Sequence, residues 1–323
     1  MIKQIITSIL LTIFFSGSVF AKLTTEEKAA RDKGIVLYQQ SAWDSAQPFL
    51  KVAAAAGDPK AQYYLGEAIR LNNMFMTEEA KKWYEAAAEE GDLYAMLRLS
   101  SAGDLCRIIG SCDGKSGKQW KEQVLKAARE RAQNDDPEAM RVLYILGEGL
   151  KWLEKAAETG DGHSQYSLAL AYKNGKGWFF IPGNRDKAVE RWAKASAEAG
   201  YVPGMAFYAH FLYDHHRSKK DIAYWLKKTA DTGHLETLAA YALYVAHLPN
   251  GFDYPLNLVE AYGITYLISN LTGGGAPPRE ARLSLPRIAA KMTLEEIQQG
   301  IAFSKEWEKT HPPLSYYPPV YGY

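Results

Sequence analysis

The chain has 323 residues, of which 47% are hydrophobic and 23% charged, with a formal net charge of +1. That length and composition fit one large or two ordinary folded domains. The near-neutral balance removes the general electrostatic case for nucleic acid or an anionic membrane as partner.

Residues 1–21 read as a leader and not as part of the fold. Met1 and Lys3 make a short positive start, Ile5 to Phe15 is an apolar core, and Val19-Phe20-Ala21 is small at −3 and −1 of a cleavage site. The apolar run falls short of the ~20 residues that a membrane span requires. The expectation is an exported chain, cleaved after Ala21, soluble in the periplasm and without a span in its mature form. Such a chain meets an oxidising compartment. The only two cysteines are Cys106 and Cys112, in LCRIIGSCDG. If bonded, they close a short loop worth about 2 kcal/mol on loop-entropy grounds. They are too few to hold a metal alone.

A module then recurs. Its clear copies are FLKVAAAAGD ending near Gly57, WYEAAAEEGD near Gly91, WLEKAAETGD near Gly160, WAKASAEAGY near Gly200 and WLKKTADTGH near Gly233. A weaker copy carries Asp135 in the glycine place. Eight residues before the marker stand Phe49, Trp83, Trp152, Trp192 and Trp225. Three before it stand Ala54, Ala88, Ala132, Ala157, Ala197 and Ala230. Four after it the residue is small in five copies, Ala61 to Gly204, and is Thr237 in the last; eight after it the residue is large, from Leu65 to Tyr241. Large and small residues at helical spacing let two helices interlock. Glycine at the helix end takes the left-handed conformation that stops the helix. One helix pair cannot bury its apolar face alone, so neighbours must stack. The pattern predicts an all-α, right-handed α-solenoid of antiparallel helix pairs. Trp83, Gly91, Trp152, Gly160, Trp192, Gly200, Trp225 and Gly233 are expected to pack the repeats.

The form W-Y-x-x-A-A-x-x-G-D-x-x-A-x-x-x-L-G resembles the Sel-one-like repeat (SLR), a relative of the tetratricopeptide repeat. Trp83 to Leu99 and Trp152 to Tyr172 carry it most closely, and Tyr172 to Gly177 resembles the family's Y-x-x-G-x-G turn. The resemblance spans roughly residues 28 to 275. It implies a curved helical scaffold, in an exported bacterial member, that binds other proteins; it implies no reaction. The organisation expected is a leader over 1–21, about six repeats over 22–275, capping helices over 276–310 and a Pro/Tyr-rich tail over 311–323.

Function in repeat proteins sits where the pattern breaks. Asp104 to Lys118 interrupts one unit and holds both cysteines, with Arg107, Ile108 and Ile109 as candidate contacts. The step of 25 residues between Asp135 and Gly160 is short, so LGEGLKW should join its helices directly. GKGWFFIPGNRD, residues 175–186, lengthens the family's turn and makes Trp178, Phe179 and Phe180 either a plug over the neighbouring groove or an exposed anchor. Past the array, Pro277 to Lys291 and Leu294 to Lys309 read as helices, the second starting at Thr293 with Glu296 three residues on. The tail HPPLSYYPPVYGY favours extended geometry. Its Tyr316 and Tyr317 are candidate contacts, whether the tail is disordered or lies back along the solenoid.

Catalytic signatures are not evident: there is no G-x-S-x-G, Walker loop or Rossmann fingerprint. Gly273-Gly274-Gly275 reads as a helix-ending loop. His210 and Asp214 share a helix face, with His215 and His216 beside them, but further metal ligands are not evident. Glu89 and Glu90 read as a solvated face. The expectation is a non-enzymatic periplasmic scaffold without cofactor or metal. It would grip a protein partner with its concave surface and edge loops. Exported SLR proteins resemble two functional groups. One neutralises toxic effectors, including lipases delivered by type VI secretion, as immunity proteins. The alternative comprises adaptors or regulators of envelope and signalling complexes. An envelope hydrolase and a glycan or peptide binder, the latter with the aromatics of residues 178–180 or of the tail lining an open groove, are the competing classes.

Overall fold

The structure is a computed structural model and describes residues 23–101, 115–250 and 252–321. The leader, the cysteines Cys106 and Cys112, and Arg107, Ile108 and Ile109 lie outside the described residues.

The two-residue step at the centre of each repeat ends one helix and starts the next. Gly57, Gly91, Gly160, Gly200 and Gly233 hold φ between +79° and +91°, and Asp135 holds +56°. This is the left-handed region, which glycine enters freely and aspartate tolerates. In every one of these units except that of Gly200, where Tyr201 makes no side-chain cap, the following residue then caps the next helix. Asp58 accepts the Ala61 amide at 2.7 Å, Asp92 the Ala95 amide at 2.7 Å and Asp161 the Ser164 amide at 2.7 Å. Asp136 caps in the same way, and His234 takes the place with its Nδ1 accepting the Thr237 amide at 3.3 Å. Such caps contribute about 1 kcal/mol each.

Among the described residues the result is helices and one isolated bridge. In chain order they are α1 (Thr25–Gln39), α2 (Trp43–Ala55), α3 (Pro59–Asn73), α4 (Glu78–Glu89), α5 (Leu93–Ser101), α6 (Gly117–Ala132), α7 (Pro137–Ile145) and α8 (Leu150–Glu158). There follow α9 (Gly162–Lys173), α10 (Asn184–Glu198), α11 (Val202–Asp214), α12 (Lys219–Ala230), α13 (Leu235–Val245), α14 (Leu258–Ser269), α15 (Ala276–Ala289) and α16 (Leu294–Thr310). Each helix packs on the next from α1 to α15, and α16 packs back on α14. The architecture is an all-α solenoid of helix pairs. The small residues meet as expected: Ala54, Ala88, Ala132, Ala157, Ala197 and Ala230 are all buried. The capping box at the start of α16 forms, with Thr293 and Glu296 each accepting the other's amide.

The repeat aromatic is not the deepest residue of its helix. Trp83, Trp152 and Trp192 are half-buried, and Trp225 alone among the four is fully buried. The residue after it goes deeper in most units: Leu50, Tyr84, Leu153 and Ala193 are wholly buried. A basic side chain lies over the ring of the half-buried aromatic, as Lys151 does over Trp152 and Arg191 over Trp192. Cation–π attraction of about 0.5–1 kcal/mol at such sites explains how a tryptophan rests half in water.

The array turns back on its own start. The Gly274 amide faces the Ser41 carbonyl at 3.4 Å, so the turn before α15 meets the turn between α1 and α2. A Cβ on Gly273 would collide with the Gln40 carbonyl. The glycine triplet is therefore a close-approach seam as well as a loop.

Candidate functional site

Two surfaces stand out: the inner face, made by Tyr63 of α3, Tyr94 of α5, Arg141 of α7, Tyr166 of α9 and Phe207 of α11 with the tail beside them, and the loop between α9 and α10.

The tail lies back along the solenoid, in extended form. Ser315 makes a parallel bridge beside His234, its amide donating to the Gly233 carbonyl at 3.0 Å and its carbonyl accepting the Leu235 amide at 2.9 Å. The Tyr316 amide donates to the Gln39 carbonyl at 2.9 Å, and Gln40 Nε2 donates to the Leu314 carbonyl at 3.0 Å. One short segment thus binds the end of α1 and the α12–α13 turn together. The tyrosines add side-chain bonds. Tyr316 donates to the Gly274 carbonyl at 2.8 Å, and Tyr317 to the Thr232 carbonyl at 2.7 Å. Tyr317 also stacks on His234. Further on, Tyr63 donates to the Val320 carbonyl, and Tyr321 stacks on Tyr94.

Beneath Tyr321 is a buried ionic cluster. Glu67, 1% exposed, accepts from Arg98 at 2.5 and 3.1 Å, from Arg70 at 2.8 Å and from Tyr84 at 2.8 Å. Burial alone would lower the Arg98 pKa, but the charge and hydrogen bonds of Glu67 outweigh it and raise it, so Arg98 stays protonated. Burial also raises the Tyr84 pKa, and the same carboxylate adds to that, so Tyr84 remains a donor.

The tail leaves space beside it. A cavity of about 660 Å³ is lined by residues from both ends of the chain, among them Tyr38, Trp43, Phe207, His234, Tyr316 and Tyr317. A second, of about 360 Å³, lies between Tyr94, Arg141, Tyr166 and Pro319.

The outward loop splits its three aromatics. Phe179 packs edge-on against Tyr172, ring centroids 5.1 Å apart, and the Arg185 guanidinium covers it at 4.8 Å. That guanidinium also donates to the carbonyls of Tyr172, Lys176 and Gly177, at 2.8, 2.6 and 3.2 Å. Trp178 and Phe180 are 88% and 90% exposed and stack on each other with centroids 6.4 Å apart. The loop is thus neither a whole plug nor a whole anchor. Phe179 fastens it and its two neighbours face solvent.

The histidine group does not assemble. His210 Nε2 lies 3.3 Å from Asp214 Oδ2, whereas His215 turns back to stack on Phe211. Among the described residues no group of three or more His, Cys, Asp or Glu is placed to share a metal ion. Glu89 and Glu90 are exposed. No helix among the described residues is long and apolar enough to cross a membrane.

No family model matches the sequence, and no curated protein is similar to it. Solved structures do resemble the fold. One is a protective antigen present in uropathogenic Escherichia coli strains and displaying an SLR fold, 18% identical, matched over 89% of this chain and 77% of that one with a TM-score of 0.38. Another is a Sel1 repeat protein from Oxalobacter formigenes, 18% identical over 88% and 86% of the two chains, TM-score 0.44. A third is an assembly chaperone of RpL4, 15% identical over 88% and 97%, TM-score 0.27. These are likenesses in helical arrangement, and nothing about a partner follows from them. The repeat signature, its left-handed step and its capping residues make the chain an SLR-like α-solenoid.

Proposed function

We propose that this protein is an exported, non-enzymatic scaffold that binds another protein through its edge loop, and that the partner is a toxic effector, which it neutralises as an immunity protein. One observation carries the binding reading. Trp178 and Phe180 stand almost wholly in water on a loop already fixed by Arg185 and Phe179. Exposing two stacked aromatics has no folding rationale, since burying such a side chain stabilises by roughly 1.5–3 kcal/mol. Aromatic anchors on rigid supports are what binding hot spots are made of, because little ordering entropy remains to be lost. The leader-like residues 1–21 support export.

The test takes the protein encoded beside this chain as the toxin, expressed in the periplasm of a sensitive host. The exported form should restore growth, form a one-to-one complex with the toxin and protect no longer once residues 1–21 are deleted. Equal protection by both forms defeats the periplasmic reading. A partner recovered from the periplasm that belongs to an envelope or signalling complex instead assigns the adaptor role.

A further inference from the structure

The inner face of the array is engaged by a segment that is itself peptide-like, and the way it is engaged says what chemistry that face recognises. We propose that the inner face is a groove for an extended protein segment carrying tyrosine and proline, in which residues 314–321 are the resident, exchangeable ligand. This goes beyond the edge-loop reading and rests on it only in that an incoming segment belongs to another protein.

Three features support the proposal. Recognition of the backbone is edge-wise, through the two bonds between Ser315 and the Gly233–Leu235 strand-like step. This is the manner in which folded domains add an extended peptide. The side-chain seats are specific for phenols, since Tyr316 and Tyr317 each direct a hydroxyl to a backbone carbonyl, of Gly274 and Thr232. The floor of the groove is shaped for a chain lying on it. A Cβ on Gly233 would stand 3.0 Å from the carbonyls of both Pro312 and Pro313, and one on Gly275 would strike the Tyr316 hydroxyl.

Exchange, as opposed to permanent closure, is favoured by what the tail does not bury. Leu314 and Ser315 are buried, whereas residues 316–321 are half-buried or exposed. Cavities of about 660 and 360 Å³ remain on either side of Pro319. The groove is therefore wider than its occupant beside Pro319. The prolines lower the cost of binding, because they hold a segment extended before it docks.

The experiment keeps the full mature chain and cuts it once folded, at a protease site inserted between Thr310 and His311. A fluorescent peptide of residues 311–323 is then added in excess. The proposal expects the cut chain to stay helical by circular dichroism, to release its tail and to bind the labelled peptide saturably. The uncut chain should bind it at least about tenfold more weakly, and a peptide with Tyr316, Tyr317 and Tyr321 changed to alanine should compete at least about tenfold worse. A cut tail that never exchanges under about a hundredfold excess of peptide overturns the proposal, and so does loss of helicity on cutting. Equal competition by the alanine peptide overturns the assignment of tyrosine as the recognised chemistry. None of these readouts depends on toxin binding, so failure here and failure of the immunity reading are separable.

Discussion

Tyr321 lies over Arg98, with the guanidinium carbon 4.4 Å from the ring centroid, although the two are far apart in the sequence. Arg98 is in turn bonded through two nitrogens to Glu67. Tyr321 therefore lies on the exposed side of a buried ion pair, and the pair's geometry sets the shape of its seat.

Removing the acid from that cluster leaves two guanidinium groups and a phenol facing an uncompensated void. Glu67→Ala should destabilise the fold by about 3–5 kcal/mol, the usual cost of breaking a buried pair from one side. Tyr84→Phe, which deletes one hydrogen bond to the same carboxylate, should cost only about 1–2 kcal/mol. Guanidinium unfolding of both variants checks the ranking. A Glu67→Ala loss under about 1 kcal/mol removes the cluster from the account of stability.

Gly200 and Gly233 hold nearly the same left-handed backbone, at φ +81° and +79°. A Cβ on Gly200 would meet nothing within 4 Å, whereas one on Gly233 meets the tail at 3.0 Å. Gly200→Ala should cost roughly 1–2 kcal/mol through backbone strain alone. Gly233→Ala should cost that and also loosen the tail, so limited proteolysis should clip residues 311–321 faster in this variant only.

The outward loop separates anchoring from binding. Trp178→Ala with Phe180→Ala should leave the melting temperature within what about 0.5 kcal/mol shifts, because neither side chain is packed on the fold. Phe179→Ala should cost roughly 1–2 kcal/mol, less than the ~3–5 of a fully buried phenylalanine. Capture of the partner by the mature chain should fall at least about tenfold in the double variant. Undiminished capture takes these two residues out of the interface.

His234 fills a capping place that aspartate holds in four other units, and it does so with a neutral ring nitrogen. Burial lowers its pKa from the usual 6.5 to about 4. A folded-state pKa below the unfolded one means that the stabilisation is full above pH 6.5 and is lost as pH falls towards 4. His234→Asn keeps a capping oxygen and does not titrate. Wild type should therefore lose up to about 3 kcal/mol relative to this variant between pH 7 and 4. The comparison cancels the same-signed shift at His163 and the opposite-signed one at Asp92, whose burial raises its pKa to about 6. Parallel stability curves for the two proteins defeat the assignment.

The solenoid is legible in the sequence because its packing is local and periodic. Ala88 and Leu99 are buried in the core shared with adjacent helices, and Gly91 makes the left-handed step between them, so their spacing records the packing. Two finer features were hidden in adjacent residues. Spacing marks Trp83, yet Tyr84 goes deepest, because the pattern gives the face of a helix and not which of two neighbouring rings has a buried acceptor. In the Trp178–Phe180 run, the alternation of an extended chain sends Phe179 inward and its neighbours out. Arg185, close by in sequence, was a readable partner for the inward ring. The docking of the tail left no periodic trace. It joins Ser315 to Gly233 and Tyr316 to Gln39, segments far apart in the chain, through backbone groups that every residue has. The requirement for no side chain at Gly233 and Gly275 was the only sign, and helix termination already accounted for Gly233.

The most direct test of the account is amide hydrogen exchange on the mature full-length chain. The tail is held on the inner face by its own backbone, so the amides of Ser315 and Tyr316 should exchange at least about a hundredfold more slowly than in a free peptide of residues 311–323. Exchange of Ser315 and Tyr316 at the free-peptide rate, with α12 and α13 still protected, would contradict it.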